Sequence, residues 1–325
     1  MVQYLYAAYS LGGPQVPEVY RDRVRNWQEV ILGVAKEEMG HLICVQNSLR
    51  LIGAPLHLER EDMPWDLPFY PFPFMLEPLT LDSLAKYVYA EAPQPWDGGA
   101  LKDEIWARVN AKVGTAHHVA ELFKRLIPLV EDPDYLPDST FDAATSLAQA
   151  DFAEWGRGYH GGNRGNSGGG APRQTSDVLV VPQTCRDDMV AALRAVAEQG
   201  EATSGASRSH FVRFLTVYTE MRATIDNNPV TCEQWHAARP ASFSAAHWAE
   251  LQPAATAPLT HADAGHGGHG WAPARAVAVN PYVSTLNRRP HTACRRPHTA
   301  CRRPTSRRRN RRCGRPCTTC ATACC

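Results

Sequence analysis

Glu37-Glu38-Met39-Gly40-His41-Leu42 lies in the middle of a long helical pattern that opens near Glu18 and is closed by Gly53 and Pro55. Apolar side chains at Trp27, Val30, Ile31, Val34, Leu42, Val45 and Leu49 recur at helical spacing and mark one buried face. The same stripe passes through Glu38 and His41, so two polar side chains occupy positions where the pattern demands apolar ones. A buried carboxylate without a partner costs several kcal/mol, on the order of the effective penalty for a buried ion. A carboxylate and an imidazole three residues apart on a helix point the same way and reach one cation in a bundle interior. The alternative is that Glu38 and His41 satisfy each other, or an arginine, within a core network. Glu37 is expected to face outward, paired with nearby basic groups.

Working outward, Val2 to Leu11 is an apolar, helix-compatible run halted by Gly12-Gly13-Pro14. It has no N-cap and reads as the end of a longer helix. Residues 54 to 79, rich in Pro and aromatics, read as an ordered extended segment wrapped around the bundle. Leu81 to Glu91 is a short helix, and one long helix is expected from about Leu101 to Val130. The glycine-rich stretch, within 156–176, is expected to be a flexible loop and not a phosphate cradle, because neither a strand nor a helix start frames it. Asp177 to Val181 is β-prone, and Thr184 with Asp187 resembles a capping box opening a helix that runs to Glu201. After a small-residue break, helical spacing resumes through His210, Phe214, Val217 and Met221.

Past about Asn227 the pattern fades. The reading divides the chain into a helical domain over 1–225, an irregular extension over 226–286 and a disordered basic tail over 287–325. From Asn287 onward there are twelve arginines, no acidic residue and seven of the ten cysteines. A formal charge of +1 therefore hides an acidic body joined to a basic end, which argues against nucleic-acid binding by the body and leaves it open for the tail. Cys44, Cys185 and Cys232 make no disulfide framework, and no stretch reads as a membrane span or secretory signal. A soluble, cytoplasmic protein is expected. Neither the glycine-flanked His261, His266 and His269 nor the tail cysteines Cys313, Cys317, Cys320 and Cys324 have surroundings that would fix a metal geometry.

A bundle metal site draws carboxylates and Glu-x-x-His pairs from several helices. Glu121, on the edge of the third long helix, is the expected carboxylate there. Glu201 and His210 are the expected last pair, on either side of the break. Glu91 and Glu198 are competing carboxylates. Iron suits mixed carboxylate and imidazole ligation with redox work, and manganese is the near alternative.

Several segments taken in order, Tyr4-Leu5-Tyr6-Ala7-Ala8-Tyr9-Ser10, Glu37 to Leu42 with Asn47 and Ile52-Gly53-Ala54-Pro55, Tyr89-Ala90-Glu91-Ala92-Pro93, and Glu198-Gln199-Gly200-Glu201 followed by Ser209-His210-Phe211, resemble the ferritin-like domain of the iminophenyl-pyruvate dimer synthase family over about residues 1–225. The resemblance implies an all-α, ferritin-like four-helix bundle and a metal-dependent oxidative or coupling activity on a small imine derived from an aromatic amino acid. His118 to Phe123 looks like a diverged third-helix motif, which favours Glu121 over Glu91. The implied metal set is Glu38, His41, Glu121, Glu201 and His210. The family's first helix also bears a carboxylate ahead of the segment matching Tyr4, a point before this chain starts. That departure keeps two other classes open, a metal-free structural or interaction bundle and an iron storage or detoxification protein. The tail has no counterpart in the family.

Overall fold

A computed structural model describes residues 1–58, 70–142, 149–150, 178–201, 205, 209–253 and 271–281. The glycine-rich loop, residues 59–69 of the Pro/aromatic segment and the basic tail lie outside the described residues. Nine α-helices occur among the described residues, with no β-strand and one isolated bridge between Leu11 and Ala274. In chain order they are α1 (Val2–Ser10), α2 (Arg21–Leu51), α3 (Leu81–Glu91), α4 (Gly99–Val113), α5 (Ala120–Glu131), α6 (Arg186–Glu201), α7 (His210–Ile225), α8 (Cys232–Ala237) and α9 (Ala245–Glu250).

The main core forms where α1 lies along α2 and α3 packs on both α4 and α7, with α2 also touching α6 and α7. Trp27, Ile31 and Val34 of α2 meet Leu84, Tyr87 and Val88 of α3, and Phe211, Phe214, Leu215 and Tyr218 of α7. Each such side chain contributes about 1.5–3 kcal/mol by leaving water, which is why the helices hold this arrangement. A second, smaller core joins α5 to α6 through Val130, Met189, Val190 and Leu193, with Leu51 from the end of α2.

The first half of α2 follows the predicted stripe, but the second half does not. Val45 is exposed, and the buried line runs instead through His41, Cys44, Asn47 and Ser48. This polar seam receives the extended segment after residue 177. Asn47 donates to Val181 O (3.1 Å) and Ala150 O (2.8 Å), and Cys44 Sγ lies 3.3 Å from Leu179 O. Ser48 donates to Gln183 Oε1 at 2.8 Å. The β-prone run thus finds no strand partner among the described residues; α2 side chains satisfy its backbone. Gly40 is required at this crossing, since a Cβ there would stand 2.6 Å from Leu179 O.

The single helix expected over 101–130 is broken into α4 and α5. Gly114 takes φ +78°, and the link that follows is tied down by hydrogen bonds from His117 N to Pro71 O and from Val119 N to Ala90 O. Phe123 and Ile127 consequently face the second core, not the first. At the start of α6 the capping partner of Thr184 is Asp188, which accepts from both the Thr184 amide (2.8 Å) and its hydroxyl (2.6 Å), in place of Asp187.

The wrap is ordered where it is described. Phe72, Leu76 and Leu79 are buried, and Glu77 bridges the fully buried Lys86 to Lys112. The region expected to be irregular after residue 226 contains α8 and α9, opened by Thr231 and Ser244 as side-chain caps. Trp235 and Trp248 stack at 4.6 Å, and each indole N–H donates to the other's backbone carbonyl. Residues 271–281 return to the start of the chain, where Trp271 stacks on Tyr20 and Arg275 N donates to Ser10 O.

Candidate metal centre

Glu38, His41 and His210 each offer a ligand atom, and these atoms all lie within 4.8 Å of one another. The fold brings them together from two directions. α2 places Glu38 and His41 one turn apart, and Ser209, whose side chain accepts from Val212 N, starts α7 so that His210 is its first residue and fully buried. The two imidazoles stack with centroids 5.4 Å apart. His41 Nδ1 lies 3.1 Å from Glu38, and His210 Nδ1 lies 3.2 Å from Glu38 and 3.6 Å from Glu91. The opposite ring nitrogens are anchored outside the cluster: His41 Nε2 to Gln199 Oε1 at 2.7 Å, and His210 Nε2 to Glu37 Oε2 at 3.1 Å. Both rings therefore turn the same edge, Nδ1, inward.

Glu37 is buried, contrary to its expected outward position, and Arg213 grips both of its oxygens. Its partners come from α7, about 170 residues away in sequence, so no local pattern on α2 shows them. Glu91 is the other group that sequence reasoning ranked too low. It is buried at the end of α3 and accepts from the Tyr4 hydroxyl at 2.7 Å. Its position was legible, because Leu84, Tyr87, Val88 and Glu91 share one helical face.

Glu201 is buried near Glu91, and its Oε1 has no hydrogen-bond partner. Glu121, ranked above Glu91 from the sequence, lies apart from the cluster. Its side chain is 40% exposed and pairs with Lys124 at 3.2 Å. It lines a cavity of about 340 Å³ together with Tyr89, His118, Leu122 and Arg125. The break between α4 and α5 explains this placement, since α5 is set over α6 and the cavity instead of continuing along α3.

Electrostatics follow from this crowding of acids around imidazoles. Burial by itself lowers His210, but the carboxylates of Glu37, Glu38 and Glu91 outweigh it and hold the imidazole well above its ordinary value. Burial raises Glu38, yet the Met1 amino group and the two histidines bring it well below the usual carboxylate range. For Glu201, burial and then the charge of Glu91 outweigh the opposing charge of Lys124 and push it up to about 8. A buried acid with an orphaned oxygen, beside a second acid and two histidines with inward Nδ1 atoms, is a donor set that suits a cation. Its mix of hard oxygen and imidazole nitrogen suits iron or manganese.

A family model described as Ferritin-like matches residues 1–219. Dichlorochromopyrrolate synthase of Lentzea aerocolonigenes is 33% identical over 126 residues, which are 32% of this chain and 12% of that protein. The chain thus matches only a small part of the length of that curated relative. No solved structure matches. Half-buried Glu38 and buried His41, Glu91 and His210, gathered from separate helices, all lie within the span of the family match, and the chain belongs to the Ferritin-like family.

Proposed function

We propose that the chain is a metal-dependent oxidative or coupling enzyme acting on a small imine derived from an aromatic amino acid. The observation that carries the metal dependence is the convergence of Glu38, His41 and His210 within 4.8 Å. In this reading those three residues hold the metal, with Glu91 and Glu201 as the flanking carboxylates in place of Glu121. Iron bound there supplies the redox chemistry, and manganese is the near alternative. Glu201 Oε1, buried and without a partner, supports the fit, because a cation would relieve its desolvation. Tyr4 keeps Glu91 oriented through its hydroxyl, and the apolar walls around Tyr4, Tyr87 and Phe214 keep bulk water from that side.

The substrate class rests on the resemblance to dimer synthases and on the name of the matched relative. The cavity beside α5 supplies groups that suit it. The rings of Tyr89 and His118 lie tilted against each other, centroids 4.3 Å apart, as an aromatic wall, and Arg125 borders the same space as a counterion for a carboxylate. Glu121 lines that cavity and lies within electrostatic reach of Glu201.

A metal-free structural bundle is the second reading. It is favoured by the way Glu37 and Glu38 already find partners in Arg213, His210 and His41 without a metal. One assay separates the two. Protein loaded anaerobically with Fe(II) is mixed with oxygen and an aromatic imino acid generated in situ by an amino-acid oxidase, and substrate loss and product mass are followed. The enzyme reading expects turnover by wild type, none by the Glu38→Ala/His41→Ala double variant, and a raised KM with unchanged metal content for Arg125→Ala. Equal rates with wild type and the double variant would favour the inert bundle.

A further inference from the structure

Resting on the metal reading above, we infer that Glu37 and Arg213 form a positioning device that fixes the tautomer and orientation of His210. Four observations converge on it. His210 is fully buried, so water cannot supply an acceptor for its outer ring nitrogen. That nitrogen, Nε2, lies 3.1 Å from Glu37 Oε2. Arg213 sits one turn beyond His210 on α7 and holds Glu37 through both guanidinium nitrogens, Nη1 at 3.1 Å from Oε1 and Nη2 against Oε2. Finally, His210 Nδ1 faces Glu38 and Glu91 but has no aligned hydrogen bond of its own.

The physical consequence is directional. A neutral imidazole carries one N–H and one lone pair, and the acceptor chosen by the N–H decides where the lone pair points. In the neutral, metal-ligating form of the ring, Glu37 takes the Nε2–H and leaves the Nδ1 lone pair to the cluster. A carboxylate behind a ligating imidazole also raises its basicity and holds the ring plane. Arg213 keeps Glu37 in place, because a bidentate guanidinium pair fixes both carboxylate oxygens at once. Neither residue reaches the cluster itself. The adjacent acids Glu37 and Glu38 thus divide the work: the helix turns Glu38 toward the cluster and Glu37 toward α7. His41 has a neutral counterpart of the same device in Gln199.

The test uses the full chain and Co(II) as probe, with affinity read by competition against a chelator and ligand geometry read from the visible d–d spectrum. Wild type should bind Co(II). Glu37→Ala should weaken binding by about 10–100-fold and shift the d–d bands. Glu37→Gln, which keeps an acceptor for Nε2–H, should recover most of the affinity, and Arg213→Lys should fall between. Glu104→Gln serves as the control. It breaks a comparable ionic network with Tyr218 and Arg222 elsewhere on α7, and should leave affinity and spectrum unchanged even if the fold is less stable. Unchanged affinity and spectrum in Glu37→Ala would overturn the positioning role while leaving the metal reading standing. No Co(II) or Fe(II) binding by wild type would defeat the metal reading itself, and this inference with it.

Discussion

At the level of single residues, the site shows how little freedom α2 has. Gly40 lies between Glu38 and His41 because the backbone of Leu179 passes over it, 2.6 Å from where a Cβ would be. Gly40→Ala should destabilise the fold by about 1–3 kcal/mol, the usual cost of overpacking, seen as a lower urea midpoint. Glu220 offers a second test away from the cluster. Burial raises its carboxyl against the lowering effect of Trp27 and Arg23, and its Oε2 accepts from the Trp27 indole at 2.7 Å. A carboxyl whose folded value is raised favours folding most below its unfolded value, and loses that benefit as pH climbs through the folded one. Glu220→Gln should therefore leave stability unchanged near pH 4 and raise it near pH 8, measured by thermal melts across that range. Of the candidate cluster, Glu38, His41 and His210 were legible as polar residues on or beside apolar faces. Glu37 was not, because its burial depends on Arg213 and His210 arriving from α7. Glu121 was read on an unbroken helix, whereas it stands on α5, after the break, and lines the cavity.

At the level of elements, long helices with clear stop signals were readable, and short or interrupted ones were not. α2 ends close to its Gly53 and Pro55 signals. The break between α4 and α5 turns on Gly114 and on hydrogen bonds to Pro71 and Ala90, which are tertiary contacts with no local signature beyond the glycine. α8 and α9 are six residues each, too short for a period of 3.6 to show. What marked them was chemistry: Thr231 and Gln234 as a reciprocal cap, Ser244 as another, and two tryptophans at matching places. Both tryptophans are fully buried in the main core. Trp248→Ala should cost about 3–5 kcal/mol, as for other large core truncations, and a chain ending at Asp226 should unfold at markedly lower temperature by calorimetry. If the truncated chain melts with the full one, α8 and α9 are accessory.

At the level of the whole molecule, the proposed metal site in an acid-rich bundle centre would couple folding to cation binding. The Ferritin-like match covers 1–219, yet helices after residue 226 and the segment 271–281 add to the same core. A metal held by the folded chain alone stabilises it by mass action, about 2.7 kcal/mol at a free concentration 100 times the Kd. Fe(II) should therefore raise the melting temperature of wild type and leave the Glu38→Ala/His41→Ala variant where it was. No helix among the described residues is long and apolar enough to cross a membrane. The direct measurement is elemental analysis of purified protein after anaerobic loading with Fe(II) and removal of loose metal. The account predicts stoichiometric iron in wild type, and its loss from His41→Ala and His210→Ala variants that keep helical circular dichroism. Iron at background in wild type, or undiminished in both variants, would contradict it.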